Sequence, residues 1–142
     1  MEVTNQIKLK FHGVDFPVIN LNSDEPFSNP DEKSIDVNVI PKVFYPNENL
    51  SFFKIVQEIR IKSEKSFDLF ILAVGTFELV DLTDEITKKH FVNSNAPAIM
   101  FPYIRSFVST LTSNIGNVTG TLIIPTQFFK GELEEISALP QV

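Results

Sequence analysis

The chain has 142 residues, no cysteine and a formal net charge of -6. That length suits a single domain, residues 1–142, and 43% apolar with 21% charged residues is the composition of a chain that folds. The missing cysteines exclude disulfides, thiolate metal sites and cysteine nucleophiles. The acidic balance argues against nucleic acid as a partner, because nucleic-acid binding requires a basic face.

The sequence shows neither a secretory signal nor a membrane-spanning segment. Residues 1–6, Met-Glu-Val-Thr-Asn-Gln, contain no basic stretch and no apolar run. No apolar segment approaches the roughly 20 residues needed to cross a bilayer. We therefore expect a cytoplasmic protein without stable membrane insertion.

The first 80 residues have the alternating apolar pattern of half-buried strands. Residues 6–19 form the first predicted strand, in which the alternation slips at Gly13 and predicts a bulge. Residues 21–33 are rich in turn-forming residues and predict a loop with one large ring, Phe27. Alternation returns at Ile35, and Pro41 marks a strand edge or end.

Two more strands follow, residues 53–62 and 67–80, joined by a turn at 63–66. The second of these is apolar on both faces. Strands at about 6–80 with short connections and no helix between them predict a four-stranded antiparallel sheet. Helices are expected only later, at about 83–137, which makes the fold class α+β.

Three helices are predicted after the sheet. The first is short, capped by Thr83 and interrupted at 93–95. The second begins near Asn95, where Pro97 falls in its first turn, and ends at Gly116. Its apolar stripe runs from residue 99 to residue 115, and Pro102 should kink it or leave its first turn irregular. After an extended segment, 117–125, the third begins at Thr126 and presents Phe129, Leu133 and Ile136 on one side.

No motif for enzyme chemistry is present. The sequence lacks a phosphate-binding loop, a dinucleotide glycine motif and a nucleophile elbow. The histidines, His12 and His90, are far apart and lack the carboxylate spacing of a metal site, and the adjacent acidic pairs lie in polar turns or on helix surfaces. We expect no enzymatic activity, no cofactor and no metal.

The segment Asn95 to Arg105, Asn-Ala-Pro-Ala-Ile-Met-Phe-Pro-Tyr-Ile-Arg, resembles the signature that opens the long helix of SecB chaperones. The matching residues are Pro97, Phe101, Pro102, Tyr103 and Arg105. Residues 122–129, Leu-Ile-Ile-Pro-Thr-Gln-Phe-Phe, are similar to the family's Leu, Pro and Phe pattern before its last helix. Over residues 95–129 the resemblance is specific to the sequence. Before residue 90, only the order of secondary-structure elements agrees with the family.

The resemblance implies a four-stranded antiparallel sheet with helices packed on one face. It also implies a homotetramer, a dimer of dimers assembled through the long helices and the first strands. The signature residues, together with Phe107 and Leu111, are then expected at the helix and oligomer interface. Family members are ATP-independent holdases that bind unfolded preproteins in apolar grooves and pass them to SecA, or in some relatives protect an antitoxin.

The family groove lies between the loop after the first strand and the last helix, and an open sheet edge could add main-chain hydrogen bonds. The residues expected to line it here are Phe27, Val43, Phe44, Phe128, Phe129 and Leu133. Each of them is also a candidate core residue. Two further alternatives are open: a chaperone dedicated to one antitoxin or other client, and a binder of small lipophilic ligands.

Export-type members use acidic residues on the outer sheet face to meet a basic SecA tail. Glu58 and Glu78 occupy alternate strand positions whose side chains are expected on the outer face, where such docking would occur. Lys54, Arg60 and Lys62 share that face and weaken an acidic patch. The resemblance therefore leaves both SecA and a different client open as partners.

Overall fold

The computed structural model describes residues 9–24, 34–46, 51–64, 66–80, 84–127 and 129–140. The elements follow one another as strands, helices and one last short strand. They are β1 (Leu9–Ser23), β2 (Ile35–Phe44), β3 (Phe52–Ser63), β4 (Phe67–Leu79), α1 (Glu85–His90), a π-helical turn (Phe91–Asn95), α2 (Ala96–Ser113) and β5 (Glu134–Ile136).

The sheet has the strand order β1-β4-β3-β2-β5. The first four strands are antiparallel to their neighbours, as the sequence predicts, and β5 pairs parallel to β2. The α+β class is confirmed. The predicted count of four strands is corrected to five.

Strand β1 is irregular where the sequence predicts it to be. Its register against β4 shifts between Phe11 and Gly13, and Gly13 has φ 117°, a conformation that favours glycine. A second shift lies between Asp15 and Val18. The strand also continues to Ser23, beyond the predicted end at residue 19, because Leu21 and its neighbours find ladder partners on β4.

The main core lies between the sheet and α2. β3 and β4 contribute side chains of odd number, such as Ile55, Ile59 and Ile71, to the face that we call the inner face. Met100 and Ile104 of α2 are fully buried against it. The close approach of the helix depends on Gly75, since a Cβ there would lie 2.9 Å from Met100 Sδ.

The opposite, outer face has a small apolar centre, and long side chains cover it. Val56, Leu72 and Val74 are buried there although no helix covers them. Lys54 Nζ donates to Thr76 Oγ1 (2.8 Å). Further cover comes from the Lys42–Glu58 ion pair (3.3 Å) and from the Arg60 guanidinium, 5.4 Å from the centre of the Phe70 ring. The aliphatic stems of these side chains exclude water while their charged ends stay at the surface.

The helical region is continuous rather than interrupted at 93–95. Asp84 caps α1, accepting from the Ile86 N–H (3.0 Å) and the Thr87 hydroxyl (2.7 Å), and these hydrogen bonds hold the pKa of Asp84 below its usual value. The predicted cap, Thr83, lies outside the described residues. At the predicted break the backbone widens into the π-helical turn. Because Pro97 has no N–H to donate to Asn93, the regular ladder cannot continue, and the Ala96 N–H reaches back to Phe91 instead.

The predicted last helix is wrong: among residues 114–127 and 129–140 the structure contains no helix. Its apolar spacing at residues 129, 133 and 136 fits a helix, but Gly131 lies inside it with φ 83°. A helix of this length is also marginal without strong tertiary support. The open edge of β2 offers ladder hydrogen bonds instead, and Glu134–Ile136 take them.

We predict that Ile104→Ala lowers the free energy of unfolding by about 2–5 kcal/mol, because it leaves a cavity between α2 and the sheet. Urea unfolding followed by circular dichroism measures the loss. Ile86→Ala is the matched control, since Ile86 is 80% exposed on α1 and its truncation should change stability by no more than about 0.5 kcal/mol. Equal losses in the two variants contradict the described packing of α2.

Candidate functional site

The site is built along the outer edge of β2. Every residue of β2 pairs with β3 on one side. On the other side, among the described residues, only Lys42–Phe44 have a strand partner. Ile35–Pro41 therefore present an open edge, and Pro41 fits there because an edge strand tolerates a missing ladder donor.

An apolar groove borders this open edge, and we call it the Ile35 groove. Its volume is about 300 Å³. Ile35 and Ile123 stand at its rim and are 41% and 74% exposed. Among the described residues, those that line it carry no charge. The residues that line it are Ile35, Val37, Ile61, Thr121, Leu122, Ile123, Ile124 and Pro125.

Helix α2 holds the wall of the groove that lies opposite β2. The Arg105 Nε donates to the Ile124 carbonyl oxygen (2.8 Å), and the Ser109 hydroxyl donates to that of Leu122 (3.1 Å). The Leu122 N–H in turn donates to the Thr112 hydroxyl (2.9 Å). Leu122 and Ile124 are buried in the main core between these bonds. The wall is thus fixed in an extended conformation, which turns Ile123 outward.

A second depression of about 300 Å³, the Tyr45 pocket, lies at the other end of β2. Its apolar surface comes from Val43, Val92 and Leu133, and α1 and the C-terminal residues supply charged groups at its border. Burial raises the pKa of Tyr45, and the nearby carboxylates of Glu135 and Glu85 raise it further. Tyr45 is therefore neutral at physiological pH and offers a hydroxyl within an apolar surrounding.

Residues 129–136, which we call the C-terminal segment, line one side of the Tyr45 pocket. The Leu133 N–H donates to Asn93 Oδ1 (3.0 Å), and the Phe129 ring meets the Phe101 ring edge-on at 5.8 Å. Two exposed ion pairs add to this, Lys89–Glu132 (3.9 Å) and Lys42–Glu134 (4.0 Å). Exposed pairs of this kind contribute about 0–1 kcal/mol each, so the segment is held mainly by a few half-buried apolar contacts.

The structure brings some of the predicted groove residues together. Val43 and Leu133 line the Tyr45 pocket, and Phe129 lies close by, next to Glu132. Phe44 lies on the outer face and packs with Val56 and its neighbours. Phe27 and Phe128 lie outside the described residues.

Sequence reasoning missed the Ile35 groove and Tyr45. Two signals for the groove were present: the alternation that begins at Ile35, and the apolar run Leu122–Ile124 just before Pro125. Neither signal showed that the two stretches lie side by side, because that depends on which strand ends at the sheet edge. Tyr45 follows β2 directly and keeps its odd parity, but pattern alone did not show that a depression lies beside it.

The signature residues divide between the core and the surface of α2. Pro97 and Phe101 are buried, Arg105 binds the groove wall, and Pro102 and Tyr103 are exposed. Tyr103 still contacts Phe11 of β1, with ring centres 5.1 Å apart. Phe107 stacks on Phe16 of β1 (4.2 Å), and Leu111 is half-buried against the main core.

Both predicted docking carboxylates have a side-chain partner on a neighbouring strand. Glu58 pairs with Lys42, and Glu78 Oε1 lies 3.1 Å from His12 Nε2. Glu58 lies opposite Leu72 and Glu78 opposite Phe52, at separate places on the sheet. The two carboxylates are therefore separate and are not gathered into one acidic surface, and the charge of Glu58 is paired with that of Lys42.

No group of three or more His, Asp or Glu side chains suited to a metal ion occurs within the described ranges. The helices in those same ranges are too short or too polar to cross a membrane. The chemistry that the site offers is apolar contact and main-chain hydrogen bonding along β2.

Comparison with known proteins identifies a distant relative. No family model matches the chain. It is 26% identical over 131 residues to the uncharacterized protein MJ0357 of Methanocaldococcus jannaschii, which covers 88% of this chain and 83% of that protein.

Among solved structures, the fold is similar to that of the SecB-like chaperone Rv1957 of Mycobacterium tuberculosis, determined in complex with a ChAD peptide from the Rv1956 HigA1 antitoxin. The TM-score is 0.66, the sequence identity is 12%, and the match covers 84% of this chain and 88% of that chain. A protein of unknown function from Streptococcus agalactiae matches with a TM-score of 0.47 and 9% identity, over 82% of this chain and 96% of its own. The first of these matches establishes a SecB-like fold.

We predict that Asn93→Ala loosens the C-terminal segment without unfolding the protein. Loss of the acceptor for the Leu133 N–H costs about 0.5–1.5 kcal/mol, which corresponds to a rise of about twofold to thirteenfold in the exchange rate of that amide hydrogen. Hydrogen exchange measured by NMR gives the rate. Asn114→Ala, which removes an exposed bond to the Thr110 carbonyl oxygen at the end of α2, should leave Leu133 unchanged. An unchanged rate in Asn93→Ala contradicts the described attachment.

Proposed function

We propose that this protein is an ATP-independent, non-enzymatic chaperone, a holdase that binds unfolded polypeptide segments along β2. The observation that carries the proposal is the Ile35 groove, an uncharged apolar groove beside an open strand edge. A folded client cannot use such an edge, whereas an extended one can add to it as a strand. The fold shared with a chaperone that holds a client peptide supports the same proposal.

The forces in this mechanism are desolvation and main-chain hydrogen bonding. Apolar side chains of the client lose water in the groove, at about 25 cal/mol per Å² of buried apolar surface. The open edge of Ile35–Pro41 supplies main-chain donors and acceptors that require no particular client sequence. One client has several segments that each bind weakly. When several copies of the chaperone bind them at once, the overall affinity increases through avidity. Broad recognition without nucleotide hydrolysis follows.

A chaperone that delivers preproteins to SecA and a chaperone dedicated to one client need different surfaces. Docking to a basic SecA tail calls for free carboxylates on the outer face, where Glu58 is paired with Lys42 and Glu78 contacts the His12 imidazole. A single dedicated client needs only the β2 edge. The antitoxin peptide bound by the structural neighbour supports this second candidate. Affinity capture of newly made protein separates the two: many clients indicate export, and one dominant client indicates dedication.

We also propose that further copies of the chain cover α2, as in a dimer of dimers. The helix contains one charged residue, Arg105, and its guanidinium is bound to the groove wall. The exposed side of the helix is uncharged and carries Ile99 (39% exposed) and Tyr103 (52% exposed). Such a surface is costly to leave in water, and a two-fold axis would pair it with itself.

We predict that Ile123→Asp weakens binding of an unfolded polypeptide about tenfold or more, because a carboxylate at the groove rim must lose water on binding. The measurements are fluorescence anisotropy with a labelled, permanently unfolded protein and suppression of its aggregation. Ile19→Asp is the control, since Ile19 is also exposed (47%) but lies on β1, which β4 and β3 separate from β2. If the wild-type protein leaves unfolded chains to aggregate, or if a bound lipophilic molecule is extracted from a monomer, the proposed function is wrong.

We predict that Ile99→Asp converts the assembled protein to a smaller species at micromolar concentration, because it places charge at an apolar contact between copies. Light scattering coupled to size exclusion measures the mass. Ile86→Asp should retain the mass of the wild-type protein. A wild-type protein that is monomeric at every concentration contradicts the proposed assembly.

A further inference from the structure

We infer that β5 occupies the place of a client strand, so that an extended polypeptide binds parallel to β2 at Lys42–Phe44 by displacing the chain's own C-terminal segment. This inference rests on the proposed function and specifies how the β2 edge is occupied. It makes residues 132–136, the part of the C-terminal segment beyond Gly131, an internal competitor of the client.

The first argument is continuity along the edge. β5 pairs with Lys42–Phe44 on the same edge of β2 that is open from Ile35 to Pro41. A client strand that starts beside the Ile35 groove and follows β2 reaches β5 after about seven residues, or about 23 Å at 3.3 Å per residue. It either stops there or takes the place of β5.

The second argument is the weak attachment of β5. The strand has three residues, of which Glu134 and Glu135 are exposed and Ile136 is half-buried. Its ion pair to Lys42 joins atoms 4.0 Å apart with the Glu134 side chain 71% exposed. Among residues 129–140 that the structure describes, no side chain is fully buried. Short strands with little burial open readily in native proteins.

The third argument is that the segment can leave without opening the core. The preceding chain is anchored at Leu122 and Ile124, which are buried and bonded to α2. Between that anchor and β5 lies Gly131, with φ 83° and no atom within 4 Å of where its Cβ would be. Glycine adopts backbone conformations that other residues rarely reach, so we assign Gly131 as the hinge, and Phe129 before it stays against Phe101.

Displacement frees an apolar surface for the client. Leu133 lines the Tyr45 pocket together with Val43 and Val92. Once it leaves, Val43 and Val92, both 4% exposed at present, form the floor of a site continuous with the open edge. A client apolar side chain takes the position of Leu133. Leu133 is therefore a competitor of the client and not one of its contacts.

The test is a disulfide that locks β5 to β2. The chain has no cysteine, and Lys42 and Glu134 are paired across adjacent strands, which lie about 4.8 Å apart. In the variant Lys42→Cys with Glu134→Cys, oxidation should weaken binding of a labelled unfolded polypeptide at least about tenfold relative to the same protein after reduction. The reduced form is the internal reference.

A second disulfide controls for oxidation as such. Lys62→Cys with Asp68→Cys joins β3 to β4, which are already paired along their length. Oxidation of that variant should leave client affinity unchanged. Equal affinities of the oxidised and reduced Lys42/Glu134 variant overturn the inference.

A substitution in the competitor tests the same point in the opposite direction. Leu133→Ala weakens the hold of the C-terminal segment, so the open form is more populated and client affinity should rise about threefold or more. If Leu133 were a client contact, affinity would fall instead, and that result overturns the inference. Failure of the proposed function looks different, because the wild-type protein and all variants would then leave the unfolded polypeptide unbound.

Discussion

The packing of α2 against the inner face of β1, β3 and β4 is the constraint from which the rest of the structure follows. Met100 and Ile104 lie in that contact, and Gly75 lets the helix come close. Because α2 lies chiefly over this half of the sheet, the inner face of β2 receives non-helical cover from residues 121–125 and from the C-terminal segment. These non-helical segments cover β2 less completely than a second long helix would. A groove and an open strand edge remain on β2 as a result.

The outer face of the sheet and the edge of β2 therefore differ in how far their apolar surface is covered. On the outer face, Lys42, Lys54 and Arg60 spread their stems over a small apolar centre and engage the nearby carboxylates and hydroxyls. The apolar centre of that face, Val56, Leu72 and Val74, is therefore buried. At the β2 edge the apolar surface is left accessible, with no charge in the Ile35 groove to select one client side chain over another. Accessibility and lack of charge together are what a binder of unfolded chains requires.

Sequence reasoning succeeded where local pattern and tertiary structure agree, and failed where the sheet edge decided the outcome. Alternation in β3 and β4, the bulge at Gly13 and the start of α2 near Asn95 are local signals, and each is confirmed. The last helix was wrong because the spacing of Phe129 and Leu133 says nothing about an unfilled strand edge 90 residues earlier. Phe44 was placed in the groove by its apolar character, yet strand parity turns it to the outer face. The parity of Glu58 and Glu78 was right, but their partners Lys42 and His12 come from neighbouring strands and could not be read from spacing.

The central claim is that an unfolded polypeptide binds along β2. Hydrogen exchange of the β2 amides, resolved by NMR with and without an excess of an unfolded client, tests it most directly. The account predicts that amides on the open side of Ile35–Pro41 become strongly protected when the client is added, while those of β1 do not change. A client that binds and leaves the exchange of β2 unaltered would contradict the account.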